Sequence, residues 1–263
     1  MKHLVVWLLL MAGLPLQAAP DVHIQALDYR AGDTQMQAYL AYDASLEGPH
    51  PGVLVVPEWW GLDDYARRRV RELAELGYVA LAVDMYGGGK ATTEPEQAGA
   101  WAGEVSKNPQ LAKTRFMAAL ETLKDQKAVD AAQIGAIGYC FGGTVVLNMA
   151  RAGVDMDGVV SFHGTLPVDN PPVRDGIEAD VLVLHGEADA YVTDEQMATF
   201  KRQMESAGAD FRVVSYPGAK HSFTNPAADD IAEKFDLEVG YDAQADQRSW
   251  REMRGFFQRI FAD

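Results

Sequence analysis

Cysteine is nearly absent from this chain of 263 residues, in which Cys140 stands alone. A single thiol excludes an internal disulfide framework. With no C-x-x-C pair there is also no second sulfur to resolve a mixed disulfide, so thiol–disulfide exchange ranks last among the chemistries open to it. Positive charge is scarce as well. Lys and Arg number 23 against 38 Asp and Glu, a formal charge of −15, which argues against nucleic acid and anionic membrane surfaces as partners. Beyond the first residues no apolar run is long enough to cross a bilayer. No low-complexity tract, heptad or internal repeat divides the chain.

The one pronounced apolar run is at the start. Met1-Lys2-His3, then Leu4 to Met11, then small residues ending in Ala18-Ala19 describe a secretory signal peptide, with an apolar core too short for a span. Residues 1–19 are expected to leave, an uncleaved anchor being the rival. Residues 20–263 then form a single domain, about 240 residues with room for a full core, in the periplasm or outside the cell and without stable membrane association. The leader holds Lys2 and no acid. The remainder therefore carries 22 basic against 38 acidic side chains, a formal charge of −16. Exported thiols are usually paired, so one left single is expected to be either hidden or reactive.

Alternating patterns over Val22–Tyr29 and Gln35–Tyr42, around Ala31-Gly32-Asp33, predict a β-hairpin. Short continuous apolar runs follow at 52–56, 78–83, 133–137, 159–162, 181–184 and 211–216, the signature of strands buried on both faces. Helical spacing separates most of them, at 63–76, 92–107 in part, 110–127, 195–207 and 247–261. Strands alternating with helices specify a mostly parallel sheet covered on both faces, an α/β fold.

Cys140 lies in Gly138-Tyr139-Cys140-Phe141-Gly142-Gly143, between a strand and a helix. That is the layout of a nucleophile elbow, G-x-Nu-x-G, with sulfur in the central place. The tight turn presents the side chain at the top of the sheet, and the helix dipole starting there favours a thiolate. A nucleophile needs a base, and the base an orienter. On the α/β-hydrolase template these follow in chain order after later strands. Asp189 follows the strand at 181–184, with Glu187 and Asp194 as competitors. His221 follows the last strand. Of the other histidines, His163 and His185 also end strands, and His185 reads as a hydrogen-bonded support under the Asp189 loop. Backbone N–H groups of Phe141 and Trp59 are the expected oxyanion donors. Glu58, beside Trp59, is a carboxyl pressed toward the same pocket, able to bond the thiol or take its proton. Trp60, Tyr86 and Phe223 are the expected aromatic wall.

Together, Pro57-Glu58-Trp59-Trp60-Gly61, Asp84-Met85-Tyr86, the cysteine elbow, His185-Gly186 with Asp189, and His221-Ser222-Phe223 resemble the dienelactone hydrolase family over nearly the whole mature chain. The resemblance implies the α/β-hydrolase fold without metal or cofactor. It also implies a Cys140–His221–Asp189 triad, with Glu58 engaging the thiol at rest, and hydrolysis of an ester or lactone through a thioester. The expected partner is a small-molecule substrate, and the chain is expected to be a monomer. One departure matters. The two arginines with which dienelactone-cleaving members bind a carboxylate are missing, because the corresponding stretches read Tyr86-Gly87-Gly88-Gly89-Lys90 and Phe223-Thr224-Asn225. Lys90 or Lys220 offers only a point charge. The substrate is therefore expected to be something other than dienelactone, a neutral ester or lactone. The alternative is a non-catalytic exported binding protein on the same scaffold.

Overall fold

A computed structural model describes residues 19–262. The expected leader, Ala19 apart, lies outside the described residues. The N-terminal hairpin pairs β1 (Val22–Ala31) with β2 (Thr34–Asp43), Ala31 facing Thr34 across a two-residue turn that Gly32 enters at φ 59°. A left-handed conformation at that position is cheap only for glycine.

The apolar runs become β3 (His50–Val56), β4 (Val79–Ala82), β5 (Val129–Tyr139), β6 (Gly158–Phe162), β7 (Asp180–Gly186) and β8 (Phe211–Tyr216). They form one eight-stranded sheet in the order β1-β2-β4-β3-β5-β6-β7-β8. Pairing is parallel from β4 through β8, and antiparallel only where β2 meets β1 and β4. β5 is longer than its apolar run. Val129 and Asp130 pair with His50 and Pro51 before a register shift at Pro51/Gly52.

Strand side chains alternate between two layers. Leu54, Val56, Leu81, Ala136 and Val159 pack with Phe116, Leu120, Val146 and Phe200 from α3 (Pro109–Lys124), α4 (Phe141–Arg151) and α5 (Asp194–Ala207). Val53, Val55, Ile137, Val160 and Leu182 pack on the other face with Val70, Leu73, Met253 and Phe257 from α1 (Asp64–Ala74) and α7 (Ala243–Ile260). Each fully buried Leu or Phe among them contributes about 1.5–3 kcal/mol relative to exposure. α2 (Pro95–Ser106) adds Val105 to the first layer. α6 (Ala228–Phe235) was not expected from the sequence. It is only eight residues long and acidic in its first turn, so its apolar residues Ala228, Ile231, Ala232 and Phe235 span too short a window to mark a helix.

The chain runs from β3 outward to β4, then returns to continue from β5 in the opposite direction. Between β3 and β5 the strand order reverses, and in open α/β sheets the crevice outside the carboxyl ends at such a point is where ligands bind. Glu58 to Trp60 follow β3 and Cys140 follows β5.

Candidate active site

Cys140 joins β5 to α4 with φ 52° and ψ −117°, a region that L-residues avoid and that persists only when surroundings over-determine it. The flanking glycines serve close approach rather than unusual dihedrals. A Cβ on Gly138 would lie 2.1 Å from the Gly142 carbonyl oxygen, and one on Gly142 would lie 2.1 Å from that of Val56. The Cys140 N–H supplies the rest of the constraint. It donates to the Phe162 carbonyl at 3.0 Å and to His163 Nδ1 at 3.1 Å.

His221 and Asp189 meet from separate loops. The two side chains pair Nδ1 with Oδ2 at 2.8 Å, both buried. Asp189 Oδ1 accepts the Tyr191 N–H at 2.8 Å, which fixes the carboxylate plane. With Nδ1 engaged, Nε2 is the nitrogen left for the sulfur. Burial alone would depress the His221 imidazole. The charge of Cys140, hydrogen bonds to Asp189 and Cys140, and the Asp189 charge override that and push its pKa up to about 10. Glu187 is exposed and Asp194 opens α5, so of the three competing acids Asp189 alone reaches the histidine.

Phe141 is the first residue of α4, so its N–H has no intrahelical acceptor. The contact of Gly142 with Val56 and Pro57 brings that helix start against the loop carrying Trp59. Tyr86 braces both sides of this junction. Its hydroxyl donates to the Trp59 carbonyl at 3.0 Å, and its ring centroid lies 5.9 Å from that of Phe141. Asp84 explains why Tyr86 is so well held. Its carboxylate accepts the N–H groups of Tyr86, Gly87, Gly89 and Gln37 at 2.7–3.2 Å.

Glu58 corrects an expectation. Its Oε2 accepts from Asn225 Nδ2 at 2.6 Å, while Oε1 is buried with no hydrogen-bond partner, so the thiol is not its partner. Burial first and Asp63 second push the carboxyl up to about 7. Asn225 stands in the second of the two stretches that lack arginine, and its role beside Glu58 was not read from the sequence.

A cavity of about 260 Å³ opens over the sulfur, lined among others by Glu58, Trp59, Trp60, Cys140, Phe141, Tyr191, His221 and Asn225. Tyr86 and Phe223, expected in its wall, are not lining residues. Phe223 is wholly buried against Tyr216 and His163, because the turn that exposes His221 drives the next apolar ring into the core. Neither Lys90 nor Lys220 lines the cavity, and among the described residues no lysine or arginine does. α6 and the segment after it supply the far wall with Ala228, Ile231, Leu237 and Val239. His185 is only partly buried. The fully buried hydrogen-bonded histidine is instead His163. Among the described residues no group of three His, Cys, Asp or Glu side chains is arranged to hold a metal ion.

A parallel sheet with a strained strand–helix elbow at its switch point, and an imidazole–carboxylate pair beside it, defines an α/β hydrolase. The family model for the dienelactone hydrolase family matches residues 36–261. The chain belongs to the dienelactone hydrolase family and is a carboxylic ester or lactone hydrolase of that type. It is 39% identical over 152 residues to an uncharacterised Caenorhabditis elegans protein, covering 57% of this chain and 94% of the relative. It is 26% identical to a putative carboxymethylenebutenolidase of Aquifex aeolicus, over 89% of this chain and 97% of the relative. Among solved structures, a dienelactone hydrolase-like promiscuous phosphotriesterase from metagenomic libraries superposes with a TM-score of 0.86 at 34% identity. That match covers 91% of this chain and 99% of the other.

Proposed function

We propose that the protein hydrolyses a neutral carboxylic ester or lactone by nucleophilic catalysis at Cys140. The observation that carries this is a His221–Asp189 pair at 2.8 Å that opens onto the same cavity as the sulfur of a strained elbow. The Cys140 thiolate attacks the carbonyl carbon, and the carbonyl electron pair moves to oxygen, where the Phe141 and Trp59 N–H groups receive it. Collapse of this adduct expels the alkoxide, which takes its proton from His221. The product is a thioester on Cys140 and a free alcohol. His221, now neutral, takes a proton from water as the water attacks the thioester, and the acid leaves as the thiolate returns. Asp189 keeps the imidazole in the tautomer and orientation both steps need. Glu58, whose carboxyl is pushed up to about 7 by burial, is a second group able to exchange a proton beside the cavity, with Oε1 buried and unpaired.

Neutrality of the substrate rests on the cavity wall. An entering carboxylate would find no lysine or arginine there, and would meet Glu58 instead. The leader at residues 1–19 supports export to the periplasm or beyond, and action as a monomer remains part of this reading.

The test is turnover of a panel of esters and lactones matched in size and differing in charge, on wild type and Cys140→Ala. Neutral substrates should be turned over and anionic ones disfavoured. Activity surviving in Cys140→Ala would reject the mechanism. Tight retention of a ligand without turnover in the wild type would favour the binding-protein alternative. A neutral phosphotriester belongs in the panel because of the activity named for the structural relative.

A further inference from the structure

His163 is a buried, strained, hydrogen-bonded histidine that the mechanism does not use. It is 1% exposed, has φ 41°, and is absent from the cavity wall. Its Nδ1 receives the N–H of Cys140 at 3.1 Å. Its Nε2 lies 2.7 Å from Thr224 Oγ1, and Thr224 is three residues past His221, on the same loop. The two ring nitrogens therefore contact the two halves of the reacting pair, one through backbone and one through loop.

We propose that His163 is a positioning residue that ties the backbone of the nucleophile to the loop carrying His221, and so sets the register between sulfur and imidazole. This rests on the reading that Cys140 and His221 are the reacting groups.

Proton accounting fixes the direction of the bonds at the two ends of this chain. A backbone N–H can only donate, so Nδ1 must be an acceptor and the ring proton must sit on Nε2. Nε2–H then donates to Thr224 Oγ1. Thr224 Oγ1 lies 2.6 Å from the Tyr65 hydroxyl, and Arg69 Nε donates to that hydroxyl at 3.3 Å. His163 and Arg69 both donate inward from the two ends, so one of the two central hydroxyls donates to the other and the hydrogen of the second has no acceptor within this chain. Arg69 also donates to the Thr224 carbonyl at 2.9 Å and is held by Asp246 at 2.6 Å. Thr224 is thus fastened at side chain and backbone, and its own exposure is 0%.

The arrangement tolerates only neutral His163. A second proton would turn Nδ1 into a donor facing the Cys140 donor. The groups around the ring add to this. His221 lies 5.4 Å away between centroids, Phe223 5.2 Å and Tyr139 5.9 Å, with Arg69 beyond Tyr65; Cys140 meets the ring through its backbone N–H, and no carboxylate is hydrogen-bonded to it. Burial above all, then His221 and Arg69, hold its pKa well below the ordinary imidazole value. Strain at Cys140 and His163 then coexists because one hydrogen bond joins them, each helping to over-determine the other.

The full chain supplies the test. Thr224→Val keeps shape and removes the acceptor, and Thr224→Ser keeps the acceptor. We expect Thr224→Val to lower kcat by about ten- to a hundredfold with KM within about twofold, the pattern of a misplaced reacting group. Alkylation of Cys140 by iodoacetamide should slow in parallel, and Thr224→Ser should recover most of both. In the wild type, nitrogen-15 histidine spectra should show His163 as the Nε2–H tautomer, with no titration between pH 5 and 8. A folded Thr224→Val with wild-type kcat and alkylation rate would overturn the inference. So would a His163 that carries its proton on Nδ1 or that titrates, and this arm decides the matter if the valine variant fails to fold. Activity in Cys140→Ala would sink the catalytic reading instead, while leaving the tautomer result intact.

Discussion

Two histidines with ring centroids 5.4 Å apart have opposite electrostatics. His221 and His163 are both buried and both follow strands of the same sheet. Against burial, the charge of Cys140 and the hydrogen bond to Asp189 lift the first to about 10, whereas burial above all, then His221 and Arg69, drive the second well below its ordinary value. Burial penalises charge at both sites. What separates them is whether a carboxylate is hydrogen-bonded to the ring. One imidazole is thereby free to carry a proton through a reaction, and the other is fixed as a neutral link that holds backbone.

The largest expected effect comes from removing either member of the reacting pair. Cys140→Ala and His221→Ala should each cost on the order of a thousandfold or more in kcat/KM while circular dichroism stays unchanged. Asp189→Asn makes His221 more like His163, by taking away its anion. We expect a loss on the order of a hundredfold, smaller than the ~10⁴ seen when serine must be activated, because a thiol depends less on its base. The alkaline limb of the pH profile should move to lower pH, because the imidazole loses the partner that held its proton. An unchanged limb would show that Asp189 does not govern His221. Tyr86→Phe removes a hydrogen bond of about 1 kcal/mol and should lower kcat by roughly fivefold through the Trp59 loop, with KM little altered.

Glu58→Gln has the subtlest effect, and its sign follows from burial. The folded carboxyl titrates at about 7 against an ordinary 4.5. The unfolded chain therefore releases this proton first, and stability is lost as pH rises from 4.5 to about 7. The glutamine variant should gain up to about 3 kcal/mol over wild type between pH 5 and 8, as read by chemical denaturation. It should also flatten any kinetic transition near pH 7. Equal pH dependence of stability in both proteins would show that Glu58 is ionised throughout.

The strands were legible because each is a short apolar run between turn residues, and a parallel sheet covered on both faces requires that pattern. The elbow was legible for a similar local reason, since two glycines are demanded where backbones pass within van der Waals contact. Asp189 and His221 followed from order along the chain. Three features escaped. α6 is only eight residues long, too short a window for its apolar spacing to stand out. Tyr86 and Phe223 are aromatic and near the site in sequence, yet neither lines the cavity, Tyr86 lying behind Trp59 and Phe141 and Phe223 in the core, because side-chain direction after a strand end depends on turn geometry. The partnership of Glu58 with Asn225 spans 167 residues, and nothing local records it.

Composition, apolar runs and motif order sufficed by themselves for the α/β class and for the elbow, acid and histidine that the fold brings to one end of the sheet, because each of these is written in local spacing. Which histidine would bear a proton, and which would only hold a backbone, was decided by tertiary structure alone. Both are single residues following strands, and only folding determines whether a carboxylate or a threonine arrives beside the ring.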